Sequence, residues 1–207
     1  MTVQKPEIRK GRKFDQVLDG ARDVFLRDGF EGASVDDIAR AASVSKATLY
    51  SYFPDKSALF MEMARLEMAG QAERMASCLD FNAPPETVLP QVGRGMMSFM
   101  LTEFGRRVFR IAVAESDRFP ELGRKFYETG PAFLHEGLKC YLKEAAARGE
   151  VRIEDFDLAA SQFPELCKAD LFPRLVFGMD EDFGEAEIER VLTGAVEMFM
   201  ARYGAER

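Results

Sequence analysis

The chain has 207 residues, of which 47% are hydrophobic and 30% charged, and its net charge is −7 at pH 7. These values exclude a disordered chain, because enough apolar side chains are present to form a sizeable core. The absence of any apolar run of about 18 residues excludes a membrane-spanning helix, and no charged-then-apolar leader opens the chain, so we expect a cytoplasmic protein.

The N-terminal arm is basic although the whole chain is acidic. The first thirteen residues contain five Lys or Arg and one Glu, and residues 1–60 contain ten basic and nine acidic side chains. The acidic excess therefore lies in the rest of the chain. Because phosphate contacts need local cations and not a basic whole protein, Arg9, Lys10 and Arg12 are candidates for contact with DNA. The alternative is a solvated terminus without a partner.

The first predicted helix follows this arm. Apolar side chains recur at helical spacing from about residue 9 to residue 28, and Gly29 is expected to end the helix. A second helix is predicted after Ser34, which is an N-cap residue, because the two aspartates that follow suit the positive end of a helix dipole.

A tight turn at residues 42–44 separates the second helix from a third. Ser45 is the predicted N-cap of this third helix over residues 46–52, and Pro54 stops it. Two short helices around a tight turn can place the second of them in the major groove of DNA. The outward-facing residues here are therefore candidates for DNA contact, namely Ser34, Ser45, Lys46, Ala47, Thr48, Tyr50, Tyr52 and Lys56.

Different roles are expected within this set. Lys46 and Ala47 should lie nearest the bases, Lys46 by hydrogen bonding and Ala47 against a thymine methyl group. Thr48 is expected to contact a phosphate or a base edge. Phosphate contacts are also expected from the remaining positions around the third helix, which are Tyr50, Tyr52, Lys56 and Ser34.

Several of these residues form one ungapped pattern: Ile38-Ala39, Ala42-Ser43-Val44-Ser45, Thr48-Leu49-Tyr50-Ser51-Tyr52-Phe53, Lys56 and Leu59. In this pattern the segment resembles the N-terminal DNA-binding domain of TetR-type bacterial regulators. Ser43 departs from it, since the family usually has Gly there, and Gly adopts a left-handed turn at little cost.

The rest of the chain also has helical periodicity, and no alternating strand pattern extends beyond a few residues. A fourth helix is expected over about 55–79, before the Pro84-Pro85 break. Later helices are expected over about 85–103, 105–116, 120–129, 131–148, from about 155 with a kink or split at Pro164, and 185–203. The sequence thus predicts an all-α fold with an N-terminal three-helix helix-turn-helix domain (1–55), helix 4 as connector (about 55–79), and a C-terminal helical domain (80–207). The resemblance implies that this second domain serves effector binding and dimerisation.

The second domain carries its own set of motifs: residues 110–115 with 118–122, then Phe126-Tyr127-Glu128, Gly130-Pro131, residues 149–166, and the ending Phe199…Tyr203-Gly204. These resemble the effector domain of the AefR-like branch of the same family. The resemblance implies an all-helical homodimer in which the last two helices of each subunit form a four-helix bundle. The final helix has one apolar stripe, expected to bury against the helix that precedes it and against a two-fold partner helix, and formed by Ile188, Val191, Leu192, Ala195, Met198 and Phe199.

A group of Met and aromatic residues in the C-terminal part has two interpretations. Apolar stripes at helical spacing usually form a core, but adaptable thioethers also suit a permissive cavity. The candidate effector-binding residues are Met96, Phe99, Met100, Phe104, Phe133, Leu134, His135, Leu138 and Tyr141. His135 or Tyr141 would be the polar contact, and the ligand would be apolar or aromatic with few polar groups.

An enzyme or metal site has little support in the sequence. His135 is the single histidine, and Gly93-x-Gly95 lacks the third glycine of a dinucleotide-binding loop. We therefore expect no catalytic residues, no metal and no cofactor. Cys78, Cys140 and Cys167 have no Cys-x-x-Cys spacing and are interpreted as buried small hydrophobes in a reducing compartment, with redox sensing as the alternative.

The sequence therefore predicts a DNA-binding transcriptional regulator. The favoured mechanism is repression of an operator on double-stranded DNA, relieved by a small apolar or aromatic effector. The alternative is a helical ligand-binding or partner-binding module whose DNA-binding domain is vestigial.

Overall fold

A computed structural model of the protein describes residues 11–180 and 182–205, apart from the side chains of Gln71 and residues 74–78. Arg9 and Lys10 lie outside the described residues. The regular elements within these ranges are helices, which confirms the all-α prediction: α1 (Arg12–Gly32), α2 (Val35–Ala41), α3 (Lys46–Tyr52), α4 (Lys56–Cys78), α5 (Pro85–Met100), α6 (Glu103–Glu115), α7 (Pro120–Thr129), α8 (Pro131–Ala147), α9 (Phe156–Lys168), α10 (Leu171–Val176) and α11 (Glu185–Tyr203).

The chain forms two compact units, Met1–Glu67 and Met68–Arg207, so the division falls within α4. The first unit is built around a small apolar core in which Val17, Ile38, Leu49 and Phe60 are almost fully buried. Both short helices begin as predicted, since the hydroxyls of Ser34 and Ser45 each accept a hydrogen bond from a backbone N–H three residues ahead.

Two positions of the first unit require unusual backbone geometry. A Cβ atom on Gly20 would lie 2.5 Å from the backbone nitrogen of Ala42, so α1 can approach the turn after α2 only with glycine there. Ser43, in that turn, has φ of 53°, which is the left-handed conformation expected from the sequence. The first helix was predicted to end at Gly29; instead, α1 continues to Gly32 across a break at Gly29, whose φ of 72° is accessible to glycine.

The second unit packs α5, α8, α9 and α11 around one core. Phe163 of α9 and Phe199 of α11 meet edge to face, with ring centroids 5.5 Å apart. Gly93 of α5 allows close helix packing here, because a Cβ atom on it would lie 3.0 Å from both Cys167 and Leu192. An antiparallel bridge between Val151 and Gly204 joins the segment after α8 to the end of α11.

Three predictions for this unit were incomplete. The helix α10 was not predicted, because its six residues are too few to display a periodicity. The break between α5 and α6 falls earlier than expected, since the hydroxyl of Thr102 accepts a hydrogen bond from the N–H of Gly105 and so caps α6. Pro164 does not split α9, which runs from Phe156 to Lys168.

In the described part of the chain, we find no helix with the length and apolar character needed to cross a bilayer.

Candidate functional site: a nucleic-acid interface and a cavity

The third helix presents a polar surface while its apolar residue anchors it. Leu49 is fully buried, whereas Lys46, Ala47 and Tyr50 face solvent, and Tyr50 retains half of its accessible surface. We call these three residues the recognition face. The face carries a cation, a methyl group and a phenol, which can contact phosphates and base edges in a major groove.

Lys46 is paired within the free protein. Its ammonium lies 2.5 Å from a carboxylate oxygen of Asp36 on α2, and both side chains are more than half exposed. An exposed pair of this kind is worth at most about 1 kcal/mol, so DNA phosphates can compete with Asp36 for the lysine at little cost.

The neighbouring candidates are held more firmly. The Thr48 hydroxyl lies 2.9 Å from that of Ser45, so the N-cap and the candidate contact residue are linked. The ring of Tyr52 packs edge to face against Phe14 of α1 at 5.6 Å. These contacts fix the start and the end of α3 on its own domain, which limits the conformational entropy lost on binding.

Ser34 and Arg12 both precede this surface in the sequence. Ser34 caps α2 and also donates a hydrogen bond to Asp37 at 2.5 Å. This bond, together with the guanidinium of Arg40, lowers the pKa of the Asp37 carboxyl. Arg12 opens α1 and is exposed.

Lys56 has a structural use that the sequence did not reveal. Its ammonium donates hydrogen bonds to the carbonyl oxygens of Phe30 and Ala33, and it lies 4.5 Å from the centroid of the Phe30 ring. The phosphate contact expected for Lys56 stays a prediction, and the side chain would have to share its ammonium between these carbonyls and DNA.

The second unit contains a cavity of about 420 Å³. This volume suits a drug-sized molecule. Its lining comes from seven helices, α4 to α10, and the residues are Met68, Ala72, Gly95, Met96, Phe99, Met100, Phe109, Phe126, Tyr127, Thr129, Gly130, Pro131, Phe133, Leu134, His135, Ala160, Ser161, Pro164, Glu165, Lys168 and Phe172.

Six of the nine sequence-predicted effector residues line this cavity: Met96, Phe99, Met100, Phe133, Leu134 and His135. They come together because α5 and the start of α8 both border the cavity. The aromatic residues from α6, α7 and α10, such as Phe109, Phe126 and Phe172, were not among the predicted effector residues. Phe109 packs edge to face against both Phe126 and Phe172, so these rings form one connected aromatic wall.

The other three predicted residues lie outside the lining of this cavity. Leu138 and Tyr141 belong to the buried core, because they lie one and two turns beyond the cavity along α8. The Tyr141 hydroxyl donates to the carbonyl oxygen of Ala83 at 2.9 Å, so it is engaged away from the residues that line the cavity. Phe104 packs edge to face on Phe99 and does not line the cavity either.

The cavity has one polar wall. Ser161, Glu165 and Lys168 recur at helical spacing on α9 and all line it. Lys168 pairs with Glu165 at 2.5 Å, and its ammonium also lies 5.7 Å from the Phe172 ring centroid. The sequence did not single out this wall, because charged residues on a helix usually form a solvated face.

His135 lies at the edge of the cavity beside a group of charged residues. Its ligand atoms and those of Glu136 and Asp157 fall within 4.8 Å of one another, a spacing that could hold a metal ion. Lys139 already occupies this group, since its ammonium lies 2.7 Å from Asp157 and 3.4 Å from Glu136. The Lys139 bond also lowers the pKa of the Asp157 carboxyl. Both carboxylates of this group thus already have a cationic partner within the protein.

The predicted dimer stripe on α11 is largely internal. Val191, Leu192, Ala195 and Phe199 are buried within the core of their own subunit. Met198 instead is 63% exposed, and Leu158 of α9 is 50% exposed. The two helices pack against each other, and we call the exposed side of each, marked by Leu158 on α9 and Met198 on α11, the outer face.

Comparison with known proteins matches both units to one family. The profile of the TetR family of bacterial regulatory proteins matches residues 17–63. The profile of the C-terminal domain of AefR-like transcriptional repressors matches residues 87–205, which is more than half of the chain.

Full-length relatives agree with these matches. The HTH-type transcriptional repressor AcnR of Corynebacterium glutamicum is 25% identical over 87% of this chain and 90% of its own. A TetR-family regulator from Mesorhizobium loti superposes with a TM-score of 0.78 at 26% identity, over 96% of this chain and all of that one. The flavonoid-responsive regulator FrrA superposes with a TM-score of 0.71 at 34% identity, with the same coverage.

The first unit is thus a helix-turn-helix whose second helix exposes polar side chains, and the second unit is a helical domain that contains a cavity. Both units match the same family. The chain belongs to the TetR family of bacterial regulatory proteins, which are transcriptional regulators and not enzymes, and its C-terminal domain is of the AefR-like repressor type.

Proposed function

We propose that this protein represses transcription by binding an operator as a homodimer, and that an apolar or aromatic effector in the cavity releases it. TetR-family regulators bind operator DNA and act as dimers. The observation that carries the effector part is the cavity in the second unit, whose lining is dominated by methionine and phenylalanine. A regulator of this kind acts where bacterial DNA lies, in the cytoplasm.

The aromatic class of effector is supported by two observations. Aromatic rings from α5, α6, α7, α8 and α10 contribute to the cavity lining, and flat ligands stack well on such rings. The relative FrrA, at 34% identity, is a flavonoid-responsive regulator. We therefore place the effector among aromatic compounds of about two or three rings.

The proposed mechanism is a shift between two conformations of the dimer. In one, the two recognition faces match successive major grooves, about 34–36 Å apart, and the operator selects it. The effector binds more tightly to the other conformation. The ratio of the effector's affinities for the two conformations then determines how far operator affinity falls. In systems of this type the coupling free energy between effector binding and DNA binding is about 1–3 kcal/mol.

Fluorescence anisotropy with a labelled duplex from upstream of the gene tests the repressor part. Wild type should bind this duplex more tightly than a scrambled duplex at the same salt concentration. Equal affinity for the two duplexes would favour the ligand-binding module with a vestigial DNA-binding domain.

A cavity-filling variant tests the effector part. Met100→Trp should abolish stabilisation of the folded protein by an aromatic ligand, because the larger ring occupies the cavity, but it should leave operator affinity within about twofold. Wild type and variant are compared in thermal melts with flavone. Equal stabilisation of both by flavone would contradict the assignment of the cavity.

A further inference from the structure

The polar wall of the cavity points to a narrower class of effector than the apolar walls do. Among the described lining residues, one has a basic side chain of the Lys or Arg type, and it is Lys168 near the C-terminal end of α9. Its side chain is 23% exposed. Its aliphatic stem is largely covered, and its ammonium lies 5.7 Å from the ring centroid of Phe172, another lining residue. This position brings a positive charge to the edge of the aromatic wall.

The present partner of Lys168 is easily exchanged. Glu165 lies 2.5 Å from the ammonium, but its own side chain is 70% exposed. A pair of this kind, at i and i+3 on one helix, is weak because water screens it. The carboxylate of Glu165 can therefore turn into solvent when another anion reaches the lysine.

The other polar lining residues near this wall are already held by the protein. Ser161 donates to the carbonyl oxygen of Asp157 at 2.9 Å, and Nε2 of His135 lies 3.1 Å from the same oxygen. Nδ1 of His135 lies 3.3 Å from Glu136. Lys168 has three N–H donors, and an ammonium beside an apolar ring binds an anion more strongly than one in bulk water.

We propose that Lys168 binds an anionic group of the effector, so that the ligand is an aromatic acid or an acidic phenol and not a neutral hydrocarbon. This inference rests on the proposed function, because it assumes that the cavity holds the effector. The ligand rings stack among Phe109, Phe126 and Phe172, and the carboxylate or phenolate replaces Glu165 as the partner of the Lys168 ammonium.

Calorimetric titration with two matched probes tests this assignment. 2-Naphthoate and 2-naphthamide have the same rings and nearly the same size, but only the naphthoate is ionised at pH 7. Wild type should bind naphthoate more tightly. Lys168→Met keeps the aliphatic stem and removes the charge, so it should weaken naphthoate binding about tenfold and leave naphthamide within about twofold.

Two further variants separate a direct charge effect from a general disturbance of the wall. Glu165→Gln removes the competing anion and should strengthen naphthoate binding, which is the opposite sign to Lys168→Met. Lys143→Met is the matched control, because the Lys143 ammonium also lies near an aromatic ring, 6.0 Å from Phe156, but the residue does not line the cavity. It should change neither affinity.

Each outcome decides between the inference and the function on which it rests. Suppose that both probes bind wild type, and that Lys168→Met either weakens the binding of both to the same extent or weakens neither. The anionic contact with Lys168 would then be wrong, but the assignment of an aromatic ligand to the cavity would be retained. If neither probe binds wild type, the result contradicts both the aromatic effector of the proposed function and the anionic contact with Lys168.

Discussion

The ammonium of Lys56, in the first turn of α4, donates a hydrogen bond to the carbonyl oxygen of Phe30 at 2.7 Å. It also donates to the carbonyl oxygen of Ala33 at 3.1 Å and lies 4.5 Å from the Phe30 ring. The Lys56 side chain therefore links the C-terminal end of α1 to the start of α4 within the first unit. The last carbonyls of a helix lack partners inside it, so a cation there stabilises the helix end.

We expect Lys56→Met to destabilise the first unit. The variant keeps the apolar stem but removes both hydrogen bonds, which are charge-assisted and partly buried, so the loss should be about 1.5–3 kcal/mol. Chemical denaturation followed by circular dichroism measures it. Lys46→Met is the matched control, since its exposed pair with Asp36 should be worth no more than about 1 kcal/mol.

The salt dependence of operator binding separates this structural role from a phosphate contact. A lost phosphate contact lowers the slope of log K against log salt by about one unit. A Lys56→Met protein with wild-type stability and a slope reduced by one unit would show that DNA contact is the main role of Lys56.

Replacing Ser43 by glycine should stabilise the protein. Ser43 has φ of 53°, and a non-glycine residue in this conformation costs about 1–2 kcal/mol. Glycine also increases the conformational entropy of the unfolded chain, which offsets part of the stability gained by relieving this cost. We therefore expect a net gain in the free energy of unfolding of about 0.5–1 kcal/mol. Ser43→Ala retains a Cβ atom and should gain nothing. A melting temperature of Ser43→Gly at or below that of Ser43→Ala would count against strain at this turn.

A pair of charge substitutions on α11 should separate dimerisation from folding. Met198 is 63% exposed on the outer face, so Met198→Glu should give a folded monomer in sedimentation velocity, because a charge would be desolvated in the dimer. Leu192 is 3% exposed in the subunit core, and Leu192→Glu should unfold the second unit, as seen by circular dichroism.

Met179→Glu serves as the control for the Met198 substitution. Met179 is 74% exposed and lies before α11, away from the outer face in sequence, so this variant should remain a dimer. A Met198→Glu protein that sediments as a dimer would show that the subunits meet through another surface.

Cysteine accessibility should differ sharply between two positions. The expectation of buried cysteines is wrong for Cys140, which is exposed, and the side chain of Cys78 lies outside the described part of the chain. Cys167 is buried, and desolvation raises its thiol pKa to about 12. The reactive species is the thiolate, so iodoacetamide at pH 8 should modify Cys140 within minutes and spare Cys167 until the protein unfolds. Peptide mass mapping of the native and the denatured protein measures both. Rapid native modification of Cys167 would mean that the core around Gly93 opens readily.

Stability at alkaline pH should depend on Tyr141. Burial raises the pKa of its phenol from the ordinary 10.0 to about 12, so the folded state favours the neutral form. This contribution is complete below pH 10 and is lost as the pH rises toward 12, because the unfolded chain ionises first. Tyr141→Phe should therefore lose less stability than wild type between pH 10 and 12.

At neutral pH the Tyr141→Phe protein should be less stable than wild type by about 1 kcal/mol, since the bond to the carbonyl oxygen of Ala83 is lost. Urea unfolding at pH 7 and at several alkaline values measures both effects. Parallel stability curves for the two proteins would exclude Tyr141 as the titrating group.

The helix-turn-helix could be predicted from the sequence almost to the residue. Its signals are local: Ser34 and Ser45 cap the helices from their own positions, and Leu49 anchors α3 by spacing alone. The left-handed backbone at Ser43 was expected from the resemblance, because the family usually has Gly at this position. Such features depend on residues three or four apart, where helix geometry decides which groups meet.

The roles of Lys56 and of the α11 stripe could not be read in this way. Lys56 bonds to carbonyls 26 and 23 residues away, and a lysine after a helix-turn-helix carries no sign of that distance. The α11 stripe is apolar whether it faces its own core or a second subunit. Only the packing of α5 and α9 against Val191 and Leu192 decided that most of it is internal.

The residues that line the cavity likewise fall into two groups, those that the sequence predicted and those that only the structure revealed. The sequence by itself determined that α5 and the start of α8 carry the apolar residues of its walls, because their composition and period are visible in the chain. Tertiary structure alone decided where the cavity ends, leaving Leu138 and Tyr141 in the core, and added the rings of α6, α7 and α10. It also set Lys168 beside Phe172, since a void and its charged edge are properties of several helices packed together and not of any one segment.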